Sequence, residues 1–198
     1  MPTTLYLMRH GEVANGGQRR YNGHIDVDIT ENGVRQMHRL AGLLAGKGLS
    51  AVYCSDLIRS VKGAQIVSGP AGITVTPLPE LRERSVGAWE GLTAEEIRER
   101  FPAEYVLWRS DLLNYRPPGG ECLLDVKNRI LPVFRRLIAS HPDQEIAMML
   151  HGGVNRILLA DALGMDLMNL FRIDQSFGAL NIIDYHDDGI AVVRLLNG

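Results

Sequence analysis

Two histidines and two arginines occupy equivalent places in the chain, each just after a short apolar run. Arg9-His10-Gly11 follows Leu5–Met8, Ser55-Asp-Leu-Ile-Arg59 follows Ala51–Cys54, and His151-Gly-Gly153 follows Ile146–Leu150. Guanidinium groups stay protonated and contact phosphate oxygens in bidentate fashion. A neutral imidazole is a nucleophile near neutral pH and forms covalent intermediates. Brought together, these four side chains suit a small, doubly charged oxyanion. Gly11, Gly152 and Gly153 would let the backbone pass close to it. Cleaving a phosphate ester also needs an acid for the leaving oxygen. The stretch Leu81–Gly91 offers Glu83, with Glu90 as the second candidate. Glu83 stands between Arg82 and Arg84, so a surface ion pair is the competing use of its carboxylate.

The elements that must position these groups can be read from the same pattern. Leu5–Met8, Ala51–Cys54, Ile73–Thr76 and Ile146–Leu150 read as strands. Helical patterns run from Glu31 to Ala45 behind a Thr30 cap, from Asp56 to Ser68, and from Val154 to Leu163. Thr93-Ala-Glu-Glu96 is a capping box that starts a helix near Ala94. Pro102–Leu113 reads as another helix, and a long pattern spans Glu121–Ser140 with Pro132 inside it, where a kink or break is expected. Leu167–Phe171 reads as a short helix. Asn181–Tyr185 and Ile190–Leu196 flank His186-Asp-Asp-Gly189, a hairpin signal. Alternating strands and helices imply an α/β three-layer sandwich. Its central sheet is mostly parallel and flanked by helices, with an antiparallel terminal strand. Residues 80–140 form a helical insertion over the functional edge, and residues 1–198 form a single domain. In such a sheet, ligands bind beyond the carboxyl ends of the strands, where all three basic motifs fall.

Composition narrows the classes of function. The 198 residues are 45% hydrophobic and 22% charged, with a formal net charge of -2. A near-neutral chain is a poor nonspecific binder of nucleic acid or membrane surface, so attraction for anions must be local. No basic segment precedes Leu5–Met8, and no apolar run approaches the ~20 residues of a membrane span. The cytoplasm is the expected compartment. Cys54 and Cys122 cannot build a disulfide framework or a four-thiolate zinc site. There is no His-Glu-x-x-His motif. Cys54 and Arg59 are one residue too close for the Cys-x5-Arg loop of cysteine phosphatases, so Cys54 reads as a buried strand residue and Cys122 as a small helix residue. His24, His38, His141 and His186 read as surface or turn residues, with His24 set apart because it follows Gly23 in the first loop. Trp89 reads as packing under the acid loop and Trp108 as packing near the pocket mouth. Arg19-Arg20 lies beside the first motif and is a candidate substrate contact.

Five motifs in order resemble the histidine phosphatase superfamily, the phosphoglycerate-mutase-like proteins. They are Leu7-Met-Arg-His-Gly-Glu12, then Arg20-Tyr-Asn-Gly23 with Asp26 and Thr30-Glu-Asn-Gly33, then Ser55-Asp-Leu-Ile-Arg59, then Leu81-Arg-Glu83 with Gly87-Ala-Trp-Glu-Gly91, and finally His151-Gly-Gly-Val154. The resemblance implies that His10 becomes phosphohistidine and that His151 supports the phosphoryl group. It implies that Arg9 and Arg59 clamp the oxygens with help from Asn15, and that Glu83 protonates the leaving oxygen and then activates water. Substrate contacts are implied for Arg9, Asn15, Gly23, Arg59, His151 and Gly152. No metal or cofactor is implied, and the partner is a small-molecule phosphomonoester, with a homodimer one option for the assembly.

The chain departs from the usual pattern at Val13, Ala14, Ser60, Gly63, Cys122 and Leu150, none of which removes a chemical group. Arg116-Pro-Pro-Gly-Gly-Glu121 is similar to the α-ribazole phosphatases of cobalamin nucleotide-loop assembly and is shared with other bacterial members. The expected activity is hydrolysis of a phosphomonoester, with α-ribazole 5′-phosphate a candidate substrate. The alternatives are mutase-type phosphoryl transfer, typical of longer chains, and a non-catalytic phosphoester-binding protein on the same fold.

Overall fold

The computed structural model describes residues 1–14 and 16–198. Six strands form one sheet: β1 (Thr3–Arg9), β2 (Leu49–Cys54), β3 (Val75–Pro77), β4 (Glu145–Leu150), β5 (Leu180–Tyr185) and β6 (Ala191–Leu195). Their order across the sheet is β3-β2-β4-β1-β5-β6. The pairs β2–β3, β2–β4 and β1–β4 are parallel, whereas β1–β5 and β5–β6 are antiparallel. The sheet is therefore mostly parallel with an antiparallel hairpin at one edge, as the sequence pattern implies.

Alternation along the central strands separates two cores. Leu5, Leu7, Ile146, Met148 and Leu150 face α5 (Leu123–Ala139) and α6 (Gly152–Ala162). Tyr6, Met8, Ala147, Met149, Val52 and Cys54 face α1 (Glu31–Leu44) and α2 (Ile58–Ser68). Strands covered on both faces read as continuous apolar runs, which is why β1 and β4 were visible in the sequence. The insertion is shorter than the expected residues 80–140: it carries α3 (Ala94–Arg100) and α4 (Pro102–Ser110), whereas α5 packs on the sheet as part of the main core. Val86, Trp89, Ile97 and Trp108 form its own apolar cluster. No helix among the described residues is long and apolar enough to cross a membrane.

Caps set the helix starts. Thr30 accepts from Gly33 N–H at 3.0 Å, and Thr93 with Glu96 forms the expected capping box. Two readings need correction. Cys122 is not inside a helix: it is the N-cap of α5, its Sγ accepting from Asp125 N–H while Asp125 accepts from Cys122 N–H. Of the kink or break expected at Pro132, the break is absent. α5 runs through Pro132 as one element of 17 residues. Pro132 faces solvent, while Leu131, Val133 and Phe134 around it are buried in the core. Their packing outweighs the lost backbone donor.

Pro132→Ala should restore that donor and relieve the ring's contact with the preceding turn. A gain of about 2 kcal/mol is expected, after allowing for the freer unfolded chain. Urea unfolding monitored by circular dichroism measures it, and a neutral or destabilising result would mean that α5 bends to absorb the ring.

Candidate active site

The adjacent strands β2, β4 and β1 end side by side, and each ends in one of the basic motifs. His10 follows β1, and its N–H donates to Leu150 O at 3.0 Å across the sheet. The chain then turns over the first turn of α1. A Cβ on Gly11 would lie 2.5 Å from Gly33 O, so this crossing requires glycine. Ser60 and Gly63, two departures from the family pattern, lie where β2, its loop and β4 meet. Ser60 accepts from Ser55 N–H and donates to Met149 O. A Cβ on Gly63 would meet Met37 Sδ at 2.9 Å.

The two imidazoles meet edge to face, with ring centroids 5.2 Å apart. His10 is 5% exposed and His151 is fully buried. His10 Nδ1–H donates to Gly11 O at 2.8 Å, which leaves the lone pair on Nε2. Burial, together with the charges of Arg9 and Arg59, holds His10 well below the usual histidine value. It is neutral, as a nucleophile must be. His151 Nε2 lies 2.7 Å from Ser55 Oγ, which also receives Leu57 N–H at 3.4 Å. With the Ser55 hydroxyl donating to Nε2, Nδ1 carries the His151 proton. That Nδ1 is buried with no partner among the described residues.

Both arginines are held by carbonyl groups. Arg59, 1% exposed, donates to Ile25 O through Nη1 and to Gly23 O through Nη2, both at 2.7 Å. Arg9 donates to Gln175 O, and its guanidinium lies 4.0 Å above the Phe177 ring centre. Burial lowers Arg9 to about 10, so it stays charged at neutral pH. Arg9 Nε is a second buried donor without a partner among the described residues. Buried cations are costly unless an anion compensates them, and no carboxylate bonds either guanidinium among the described residues.

Glu83 does not form the surface ion pair suggested by its neighbours. Arg82 is spent on a bidentate bridge to Asp56, at 2.6 Å for each contact, and Arg84 donates to Glu121 O. The Glu83 carboxylate instead accepts from Gly153 N–H and Arg84 N–H, each at 2.9 Å. A Cβ on Gly153 would lie 2.4 Å from Glu83 Oε1, so the carboxylate rests against the first turn of α6. Glu90 faces elsewhere, accepting from His24 N–H and Ser85 Oγ–H.

The structure thus brings Arg9, His10, Arg59, Glu83, His151 and Gly152 to one sheet end, with Gly152 beside the Arg9 guanidinium. The Gly23 carbonyl reaches the site, where it accepts from Arg59. Asn15 lies outside the described residues. Arg20 is committed to Glu96 and Gly91 O. Trp89 and Trp108 are packed against each other in the insertion. Cys54 is fully buried, and burial pushes its thiol up to about 12, which removes it as a nucleophile. Sequence reasoning assigned no task to Ser55, Gln175 or Phe177. Ser55 lay inside a quoted motif, four residues before Arg59, but Gln175 and Phe177 carry no spacing signal.

The family model described as the histidine phosphatase superfamily (branch 1) matches residues 5–198. A bifunctional protein of Mycobacterium tuberculosis is 34% identical over 197 residues, covering 99% of this chain and 54% of that protein. The chain spans about half the length of the first curated relatives it matches. The adenosylcobalamin/α-ribazole phosphatase of Escherichia coli is 31% identical, covering 98% of this chain and 95% of that protein. A glucosyl-3-phosphoglycerate phosphatase of Mycolicibacterium vanbaalenii is 30% identical, covering 83% of this chain and 76% of that one. The crystal structure of the α-ribazole phosphatase from Shigella flexneri has a TM-score of 0.91 at 28% identity, covering 99% of this chain and 96% of that one.

Neutral burial of two histidines has a consequence for stability. Burial, then Arg59, then His10 and Arg9 hold His151 below its ordinary value, as burial and the arginines do for His10. Unfolded histidines titrate near 6.5, so below that pH the unfolded chain binds protons that the folded chain refuses. Stability should therefore fall on acidification from about pH 6.5, by up to about 1.4 kcal/mol per pH unit for each histidine, and neither contributes a slope above it. Replacing both by glutamine should flatten the dependence of the unfolding free energy between about pH 6.5 and 5. An unchanged slope would mean that other groups govern acid sensitivity.

Proposed function

The chain belongs to the histidine phosphatase superfamily, and we propose that it is a phosphomonoester hydrolase that works through a phosphohistidine intermediate, with the whole chain as one catalytic domain. The observation that carries this reading is a neutral His10, with its Nε2 lone pair unspent, beside the buried Arg59 guanidinium and the half-buried Arg9. The phosphoryl oxygens seat on Arg9 and Arg59, using the unpartnered Arg9 Nε and the His151 Nδ1–H. Asn15 belongs to the same proposed clamp by its place in the family motif, and Gly23 and Gly152 border it. His10 Nε2 attacks phosphorus as the bond to the leaving oxygen breaks. The protonated Glu83 carboxyl delivers its proton to that oxygen, so the product departs as an alcohol. Water then attacks the phosphohistidine, gives a proton to the Glu83 carboxylate, and the P–N bond breaks to release phosphate and neutral His10. Charge gathers on the phosphoryl oxygens in both steps, where the fixed cations act most strongly.

For the substrate, we favour a small phosphorylated metabolite, with α-ribazole 5′-phosphate as the first compound to test. Similarity to the Escherichia coli and Shigella flexneri proteins along nearly the whole chain supports this choice. Similarity to a glucosyl-3-phosphoglycerate phosphatase makes a sugar phosphoglycerate the competing substrate. Steady-state kcat/KM across a panel containing both decides between them.

His10→Ala should abolish turnover of para-nitrophenyl phosphate and form no phosphoenzyme, while melting close to the wild-type temperature. Turnover at the wild-type rate would remove His10 as the nucleophile, and an inert wild type that still binds phosphate esters would mark a binding protein. Activity should survive exhaustive EDTA treatment, because the proposed clamp uses guanidinium and imidazole groups. Loss restored by Zn²⁺ or Mg²⁺ would replace the mechanism.

A further inference from the structure

The tripeptide Gly23-His24-Ile25 touches the site at three points. Its first and last carbonyls hold the two terminal nitrogens of Arg59. Between them, the His24 side chain reaches the acid loop, with Nε2 lying 2.8 Å from Glu83 O. A carbonyl only accepts, so Nε2 carries a hydrogen and donates. The His24 N–H is in turn fixed by Glu90 Oε1 at 3.0 Å. Gly23 has φ +48°, and a Cβ there would lie 2.5 Å from the same Glu90 oxygen. The loop conformation that aims His24 therefore depends on a glycine.

Glu83 O has one other donor among the described residues, Arg129 Nη2 at 3.3 Å. The Arg129 guanidinium is also engaged by Glu80 O, Arg82 O and both Glu121 oxygens. It fastens the acid loop to α5, away from the arginine clamp. His24 instead joins the acid loop to the carbonyls that carry Arg59.

We propose that His24 is a positioning residue that sets the Glu83 carboxyl in register with a phosphoryl group seated on Arg59. The inference rests on Glu83 being the proton donor. A rigid link of this kind matters because the distance from acid to leaving oxygen must hold while phosphorus moves, and a misplacement of about 1 Å can cost about a hundredfold in rate. A merely structural role for His24, holding the loop and through it Arg59, makes a different prediction. Loss of the clamp impairs every phosphate ester alike, whereas loss of acid placement matters only when the leaving group needs a proton.

The test is single-turnover phosphorylation of His10 by an alkyl phosphate and by para-nitrophenyl phosphate, in wild type, His24→Ala, His24→Met, His24→Gln and Glu83→Gln. His24→Met keeps bulk without a donor and carries the comparison if His24→Ala does not fold. With the alkyl phosphate, His24→Ala and His24→Met should slow phosphorylation by about ten- to a hundredfold, while para-nitrophenyl phosphate reacts close to the wild-type rate. His24→Gln, whose amide can donate from a similar place, should recover most of the loss. Adding His24→Met to Glu83→Gln should cost nothing further. Equal losses with both esters in the His24 variants, beside a leaving-group-dependent loss in Glu83→Gln, would overturn the role of His24 and leave the acid assignment standing. Equal losses with both esters in Glu83→Gln would overturn the acid assignment, and the inference with it.

Discussion

Two guanidinium groups at the end of a sheet, one buried and one half-buried, each bonded by backbone carbonyls instead of a carboxylate, are the constraint that the rest of the structure answers. Carbonyl groups satisfy N–H donors without cancelling charge, so Arg9 and Arg59 keep a field available for an anion. Each carbonyl must then be held in turn. Gln175 O, which receives Arg9, belongs to a residue locked by buried amides. The Gln175 side chain accepts from Asn155 and Asn181 at 3.1 and 2.9 Å and donates to Asn181 Oδ1 at 2.8 Å, while Asn181 also donates to Leu7 O in β1. The knot joins the start of β5, α6 and the strand that leads to His10. Both polar atoms of the Gln175 side chain are satisfied within it, while Asn155 Oδ1 has no partner among the described residues.

The same field explains the state of the imidazoles. Two cations and full burial make a positive charge on His10 or His151 unfavourable, so both stay neutral with their tautomers set by Gly11 O and Ser55 Oγ. An arriving dianion would reverse that balance. The site is thus poised by electrostatics against its own protonation, at a cost in acid stability that the fold carries in order to keep the Nε2 lone pair of His10.

The acid loop is the least local part of the arrangement. Its ties run to four separate regions: Arg82 to Asp56 after β2, Glu83 to Gly153 at the start of α6, Ser85 to Glu121 before α5, and the Glu83 carbonyl to His24 in the loop before α1. Gly87, at φ +54°, lies so close to Pro118 that a Cβ would come within 2.2 Å of its carbonyl oxygen. The Pro-Pro-Gly-Gly stretch thus forms the floor on which the loop rests. The aromatic cluster of the insertion, where Trp89 stacks on Tyr115 and meets Trp108 edge to face, holds the far end.

The α/β pattern, the cluster of basic residues at strand ends and the identity of the two histidines were legible from the chain alone, because strand periodicity and caps are written in neighbouring residues. Thr30 and Thr93 announce their helices within four positions, and the apolar runs of β1 and β4 mark strands buried on both faces. Pro132 and Cys122 show where local rules lose to packing: the buried neighbours of Pro132 hold one continuous α5, and Asp125 makes Cys122 a cap. Which of Glu83 and Glu90 meets the start of α6 beside His151 was not decidable in sequence, since both sit in one loop with arginines or glycines beside them. Only tertiary structure shows their different contacts, by spending Arg82 on Asp56, giving Glu90 to His24 N–H, and setting Gly153 N–H, 70 residues further along the chain, against the Glu83 carboxylate. The contacts of Ser55, Gln175 and His24 were hidden for the same reason. A hydrogen bond between residues brought together by folding leaves no periodicity in either segment, so the spacing that reveals a helix or a strand cannot reveal the contact.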